Sequence, residues 1–122
     1  MVKDFYKRFA GITEKDTRYK PDAYEFVLQA LWFTQAKLKR TGHVTARELL
    51  EGIREYGLEQ YGPMAKTVFK HWGIKTTQDF GEIVFSMVKN NLLHKTEEDS
   101  LDDFRDVYNF EIAFDAFDIK KR

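Results

Sequence analysis

The sequence predicts an α+β domain, predominantly α: a helical bundle with a C-terminal β-hairpin, in the order of a winged-helix-like fold. Three observations carry that expectation. Apolar residues recur at helical spacing in four main segments up to about residue 90, with start and stop signals between them. Beyond residue 91 the period changes, and β-friendly residues flank an acidic turn. The 122 residues are 43% apolar and 16% aromatic, with only 2 prolines and no linker-like or repeated tract, so the chain has material for one core and no place for a domain boundary.

Val2, Phe5, Tyr6 and Phe9 fall at i, i+3, i+4 and i+7, the stripe of a short helix that Gly11 is expected to end. Residues 1–18 then form a helical arm docked on a core of residues 19–117, and 118–122 a basic tail. Pro21 and Asp22 open a second helix, in which Ala23, Phe26, Val27, Ala30, Leu31, Thr34 and Leu38 keep helical spacing up to a stop near Gly42. Thr45 and Glu48 have the spacing of a capping box, and Val44 can staple on Leu49, so the next helix starts at about Ala46 and runs to Gly62. Pro63 suits the first turn of another, whose face is Ala65, Val68, Phe69 and Trp72, and which Gly73 closes. Thr76 and Asp79 repeat the capping pattern before Phe80, Ile83, Val84, Met87 and Val88, with a stop near Asn90 and Asn91. Residues 92–96 and 103–108 are then expected to be strands around a polar turn at 97–102, although 104–110 can instead extend the last helix, 110–117, backwards. Trp72, Phe80 and Phe85 are assigned to the core.

Composition excludes several chemistries. With no Cys there is no disulfide, thiolate metal site, iron–sulfur cluster or thiol nucleophile. No apolar run exceeds four residues, and the N-terminus lacks a basic stretch followed by an apolar segment, so neither a membrane span nor a secretion signal is expected and the address is cytoplasmic. Lys+Arg and Asp+Glu cancel at 20 each, but residues 1–75 hold 14 basic and 9 acidic side chains while 76–122 hold 6 and 11. The first part is thus positive by five charges and the second negative by five.

His43, His71 and His94 are the only histidines, and none pairs at the i, i+4 spacing that sets two imidazoles on one helix face. His43, just before a helix, and His71, in the last turn of another, read first as helix-end residues, and His94 falls in the expected strand 92–96. His71 with Asp79 or Glu82 would make a base and its orienter only if a nucleophile and an oxyanion hole were also present, and no Gly-x-Ser-x-Gly elbow exists. No phosphate-binding glycine motif occurs, so no cofactor is expected; Gly52, Gly57 and Gly81 sit inside predicted helices, where close approach of neighbours offsets a cost of about 1 kcal/mol each. Glu97, Glu98, Asp99, Asp102, Asp103 and Asp106 form an acidic patch without the order of an EF-hand loop, and so no metal site. They are the expected partner-docking residues.

The segments Ala23-Tyr24-Glu25-Phe26-Val27, His43-Val44, Glu48 through Tyr56, Gly62-Pro63-Met64, His71-Trp72-Gly73-Ile74, Asp79 through Phe85 and Asp103-Phe104 together resemble an uncharacterised bacterial protein family described mainly from planctomycetes and verrucomicrobia. The resemblance implies no activity, cofactor or catalytic residue. Function is therefore read from charge and architecture: a non-enzymatic module that contacts a protein partner or a second copy of itself. The alternative, a winged-helix-like nucleic-acid binder using Lys37, Lys39, Arg40, Arg47, Arg54, Lys66, Lys70 and Lys75, is disfavoured by the acidic wing and by pairs such as Arg47 with Glu51. An enzyme of unknown reaction ranks third.

Overall fold

Among the described residues five helices follow the order of the cap signals, and a sixth, short one comes after them. The computed structural model describes residues 2–94 and 100–115, with side chains from Lys7 onward. Helix α1 is Val2–Lys15, α2 Pro21–Leu38, α3 Ala46–Tyr61, α4 Ala65–His71, α5 Thr77–Lys89 and α6 Phe110–Ala113. Helix α1 passes through Gly11 instead of ending there. Gly11 has open space around it, and Ile12 extends the buried stripe begun by Phe9 by one more turn. Helix α2 stops earlier than Gly42, on Lys39 in the left-handed region at φ 55°, where the Lys39 and Arg40 N–H groups donate to the carbonyls of Ala36 and Gln35.

The expected capping box of α3 is present. The Thr45 hydroxyl accepts from the Glu48 N–H at 3.1 Å, and the Glu48 carboxylate accepts from the Thr45 N–H at 2.9 Å. Arg40 adds two bonds to the same carboxylate at 2.7 and 2.8 Å, and these, with the Thr45 N–H, hold the Glu48 carboxyl down at about 2. At α5 the Asp79 carboxylate accepts from the N–H groups of Lys75 and Thr76 at 2.8 and 3.1 Å. Gly73, at φ +94°, is required for two reasons: the conformation is left-handed, and a Cβ there would lie 2.2 Å from the Arg18 carbonyl oxygen.

The C-terminal β-hairpin, and with it the α+β and winged-helix-like assignment, is overturned. Among the described residues there is no strand: 91–93 are turn and bends, His94 is irregular, Leu101–Phe104 is a 3₁₀ turn, and α6 follows. Residues 95 to 99 of the expected hairpin lie outside the described residues, as does the part of the last helix beyond Asp115. The cause is local. Ser100 and Asp103 cap the 3₁₀ turn, the Ser100 hydroxyl accepting from the Asp102 N–H at 3.2 Å and the Asp103 carboxylate from the Ser100 N–H at 3.1 Å. The buried Thr77 hydroxyl at the start of α5 then donates to the Phe104 carbonyl at 2.5 Å and accepts from the Val107 N–H at 3.2 Å. Backbone groups that a second strand would need are satisfied by a helix side chain instead.

Helix α2 is the axis of the core, packing against α1, α3 and α5 and burying Ala23, Tyr24, Phe26, Val27, Leu28, Ala30 and Thr34. The close approaches expected at the three helical glycines occur. A Cβ on Gly52 would fall 1.7 Å from the Thr34 hydroxyl, one on Gly57 2.9 Å from the Phe69 ring, and one on Gly81 2.7 Å from the Phe104 ring. Phe26, Phe69, Trp72, Phe80, Phe110 and Phe114 form a continuous aromatic pile around α4 and α6, with Phe69 meeting the other five at centroid distances of 5.0 to 6.1 Å. Trp72 and Phe80 are buried as expected; Phe85 is only half-buried.

Candidate functional site

The half-burial of Phe85 marks where the core stays open. A cavity of about 370 Å³ opens beside it. Helix α5 contributes Val84, Phe85 and Val88, one turn of its apolar face, and α2 contributes Leu31 with Gln35 one turn later. Val44, Ala46 and Leu49 come from the start of α3, Leu92 and Leu93 from the turn after α5, and Phe104 from the 3₁₀ turn. Apart from Phe85 and Phe104, its apolar lining is Val, Leu and Ala.

The polar lining groups are Thr41, His43, His94 and Gln35. The Gln35 amide N–H group donates to the carbonyls of Gly42 at 3.0 Å and Thr41 at 3.4 Å, so it folds the loop between α2 and α3 back over the end of its own helix. Arg40 donates to the His43 carbonyl at 3.4 Å and so ties that loop to Glu48 at the start of α3. Among the described residues the lining contains no Lys, Arg, Asp or Glu. His43, expected just before a helix, and His94, expected in a strand, line one cavity here. Their separation along the chain follows no motif; the only trace in the sequence is that each adjoins an apolar residue, Val44 or Leu93, that lines the same space.

The expected docking residues divide. Glu97, Glu98 and Asp99 lie outside the described residues. Asp102 is exposed and forms an ion pair with Arg105 at 3.3 Å; Asp103 is used in the cap of the 3₁₀ turn. Asp106, at φ +49°, borders a second, more open and more polar cavity of about 340 Å³ with Lys75, Tyr108, Asn109 and Glu111.

His71, Asp79 and Glu82 do not form the base-and-orienter arrangement. Asp79, already bonded to two backbone N–H groups, accepts the Tyr19 hydroxyl at 2.5 Å, and Glu82 faces Arg18 at 3.6 Å. His71 is exposed at the end of α4, and neither cavity includes any of the three. This group joins the loop between α1 and α2 to the start of α5. Burial, reinforced by the Asp79 carboxylate, pushes the Tyr19 phenol well above its ordinary pKa, so it acts as a fixed donor. Among the described residues no three His, Asp or Glu side chains are placed to hold a metal ion.

Comparison with known proteins adds no assignment: no protein-family model, no curated protein and no solved structure matches the chain. The cavity is therefore read on its own chemistry. No helix of the described residues is long and apolar enough to cross a membrane.

Proposed function

We propose that this chain is a non-enzymatic binding module whose working site is the cleft between α2, α3 and α5, and that the cleft receives a small apolar molecule. The observation that carries the reading is the cavity itself: about 370 Å³, apolar walls from three helices, and polar groups restricted to a few positions. Ligand sites are commonly concave, about 300 to 1000 Å³ in volume and mostly apolar, with few polar groups to fix orientation. The acidic segment supports partner docking less well, since Asp102 is paired and Asp103 serves a cap. Nucleic-acid binding has less support still. Four of the basic side chains it would use are engaged by carboxylates: Lys37 by Glu55, Arg40 by Glu48, Arg54 by Glu51 and Lys66 by Glu111.

The test is an amide-resolved NMR titration with n-butylbenzene, together with a Val84→Trp variant that fills the space from α5. Saturable shifts on Leu49, Val84, Val88 and Leu92, lost in the variant while its circular dichroism is unchanged, are the expected result. Shifts that do not saturate, or that persist in the folded variant, would overturn the reading.

A further inference from the structure

We infer that the cleft selects an aromatic guest, a single benzenoid ring with a short alkyl substituent, and that Phe85 is the residue that determines this specificity. The inference rests on the cleft reading above and adds the class of the guest. Its observation is the make-up of one wall. Phe85 and Phe104 both line the cavity, with their ring centroids 6.3 Å apart and their planes at 88°. That is the edge-to-face arrangement that aromatic quadrupoles favour.

The pair is held from behind. Gly81 stands one turn before Phe85 on α5, and a Cβ there would fall 2.7 Å from the Phe104 ring, so the missing side chain lets that ring lie against the helix. Phe104 is buried, and its carbonyl accepts the Thr77 hydroxyl at 2.5 Å. Phe85 differs from it: the side chain is half-buried, packs on the core from one side, and has no second ring paired with it among the described residues. Phe69, in the aromatic pile, meets five rings. A ring seated in the cleft would give Phe85 the second partner that the fold leaves open, against a wall already fixed in place.

Size comes from the volume. An apolar cavity of about 150 Å³ already accepts benzene. At about 370 Å³, this one takes the ring and leaves room for a substituent among the Val, Leu and Ala side chains of the lining. Preference comes from the pairing: a ring set against a ring gains about two- to twelvefold in affinity beyond what burial of the same area supplies. A saturated ring of the same outline covers the same walls without a quadrupole and forgoes that gain.

The experiment titrates the full chain with ethylbenzene and with ethylcyclohexane, in the parent and in Phe85→Leu, with n-butylbenzene as the control for the cleft. In each protein the affinity of the aromatic guest is divided by that of the saturated one, and comparing the two quotients cancels the guests' unequal costs of leaving water. The expected result is a quotient at least about twofold lower in the variant, with ethylcyclohexane binding retained. Intermolecular NOEs in the parent should run from the guest's ring protons to the Phe85 ring. A smaller fall, NOEs that reach Val44 and Leu49 but not Phe85, ethylbenzene that fails to bind the parent, or loss of both guests together from the folded variant would overturn the inference and leave the cleft reading standing. No saturable binding of n-butylbenzene, or binding of every probe that survives Val84→Trp, would overturn both. Should Phe85→Leu fail to fold, Phe85→Met supplies the same comparison, and Val88→Trp replaces Val84→Trp on the same ground.

Discussion

A buried tyrosine and a half-buried one show how far a single hydroxyl can decide stability. Tyr108 donates to the Leu50 carbonyl at 2.7 Å, tying the segment before α6 to α3, whereas the Tyr24 hydroxyl is buried without a protein hydrogen-bond partner, with Ser86 close enough to oppose the burial-driven rise of its pKa. Tyr108→Phe should therefore cost about 0.5 to 1.5 kcal/mol in urea melts, and Tyr24→Phe should be neutral or stabilising. Equal losses from the two would show that Tyr24 has a polar partner after all. Burial raises the Tyr108 phenol above its ordinary value of 10.0. Its folded pKa thus exceeds its unfolded one, so the stability it contributes is fully present below pH 10 and is lost as pH rises beyond that. Tyr108→Phe should accordingly flatten the alkaline limb of the stability profile. None of this was legible in the sequence, where Tyr24 and Tyr108 differ only in the segment that holds them.

At the scale of elements, the signals that proved legible are those in which a side chain acts on backbone within a few residues. The Thr45–Glu48 box, Pro21 at the start of α2, Gly62 after α3 and Gly73 after α4 all act where their spacing predicts. The missed elements depend on distant partners. Phe104, Val107 and Tyr108 are β-friendly, but β-propensity measures fit to a half-buried pleated surface, and no neighbouring strand supplies one among the described residues. A usable signal was present: Ser100 and Asp103 have capping-box spacing, which fits a helical turn better than the rim of a hairpin. Gly81 announced a close approach without naming Phe104 as the side chain that makes it. Thr77→Val tests the device that replaces the hairpin. Its two bonds to Phe104 and Val107 would vanish with little change in shape, leaving a buried carbonyl and an N–H unmatched, at a cost of about 2 to 4 kcal/mol. Amide exchange at Val107 should accelerate well beyond that of α2. If both regions exchange with unchanged rates, the 3₁₀ segment is held by Phe104 packing alone.

Over the whole molecule, composition exposes the charge imbalance but not where each charge is spent. The first 75 residues carry a surplus of five positive charges, which taken alone suggests a surface for phosphates. The fold distributes that surplus into pairs that join elements: Arg40 with Glu48 closes the loop between α2 and α3, Lys37 with Glu55 links those helices, and Lys66 with Glu111 links α4 to α6. Arg54 takes Glu51, the carboxylate that sequence spacing had assigned to Arg47. Such exposed pairs add little to stability, yet each one reduces the field that a polyanion would meet. The histidines illustrate the converse: His43 and His94 carry no motif, and only the folding of α5 against the α2–α3 loop brings both to one cavity. Retention of duplex DNA should accordingly be weak at about 50 mM salt and absent by about 0.2 M, with a shallow dependence of binding on salt because few counterions are released. Lys37→Glu and Arg40→Glu should leave that weak retention almost unchanged, since both positions already face a carboxylate. Tight binding at 0.2 M salt with a steep salt slope, abolished by those two reversals, would show that the pairs open for a phosphate backbone and that the basic half is a working surface.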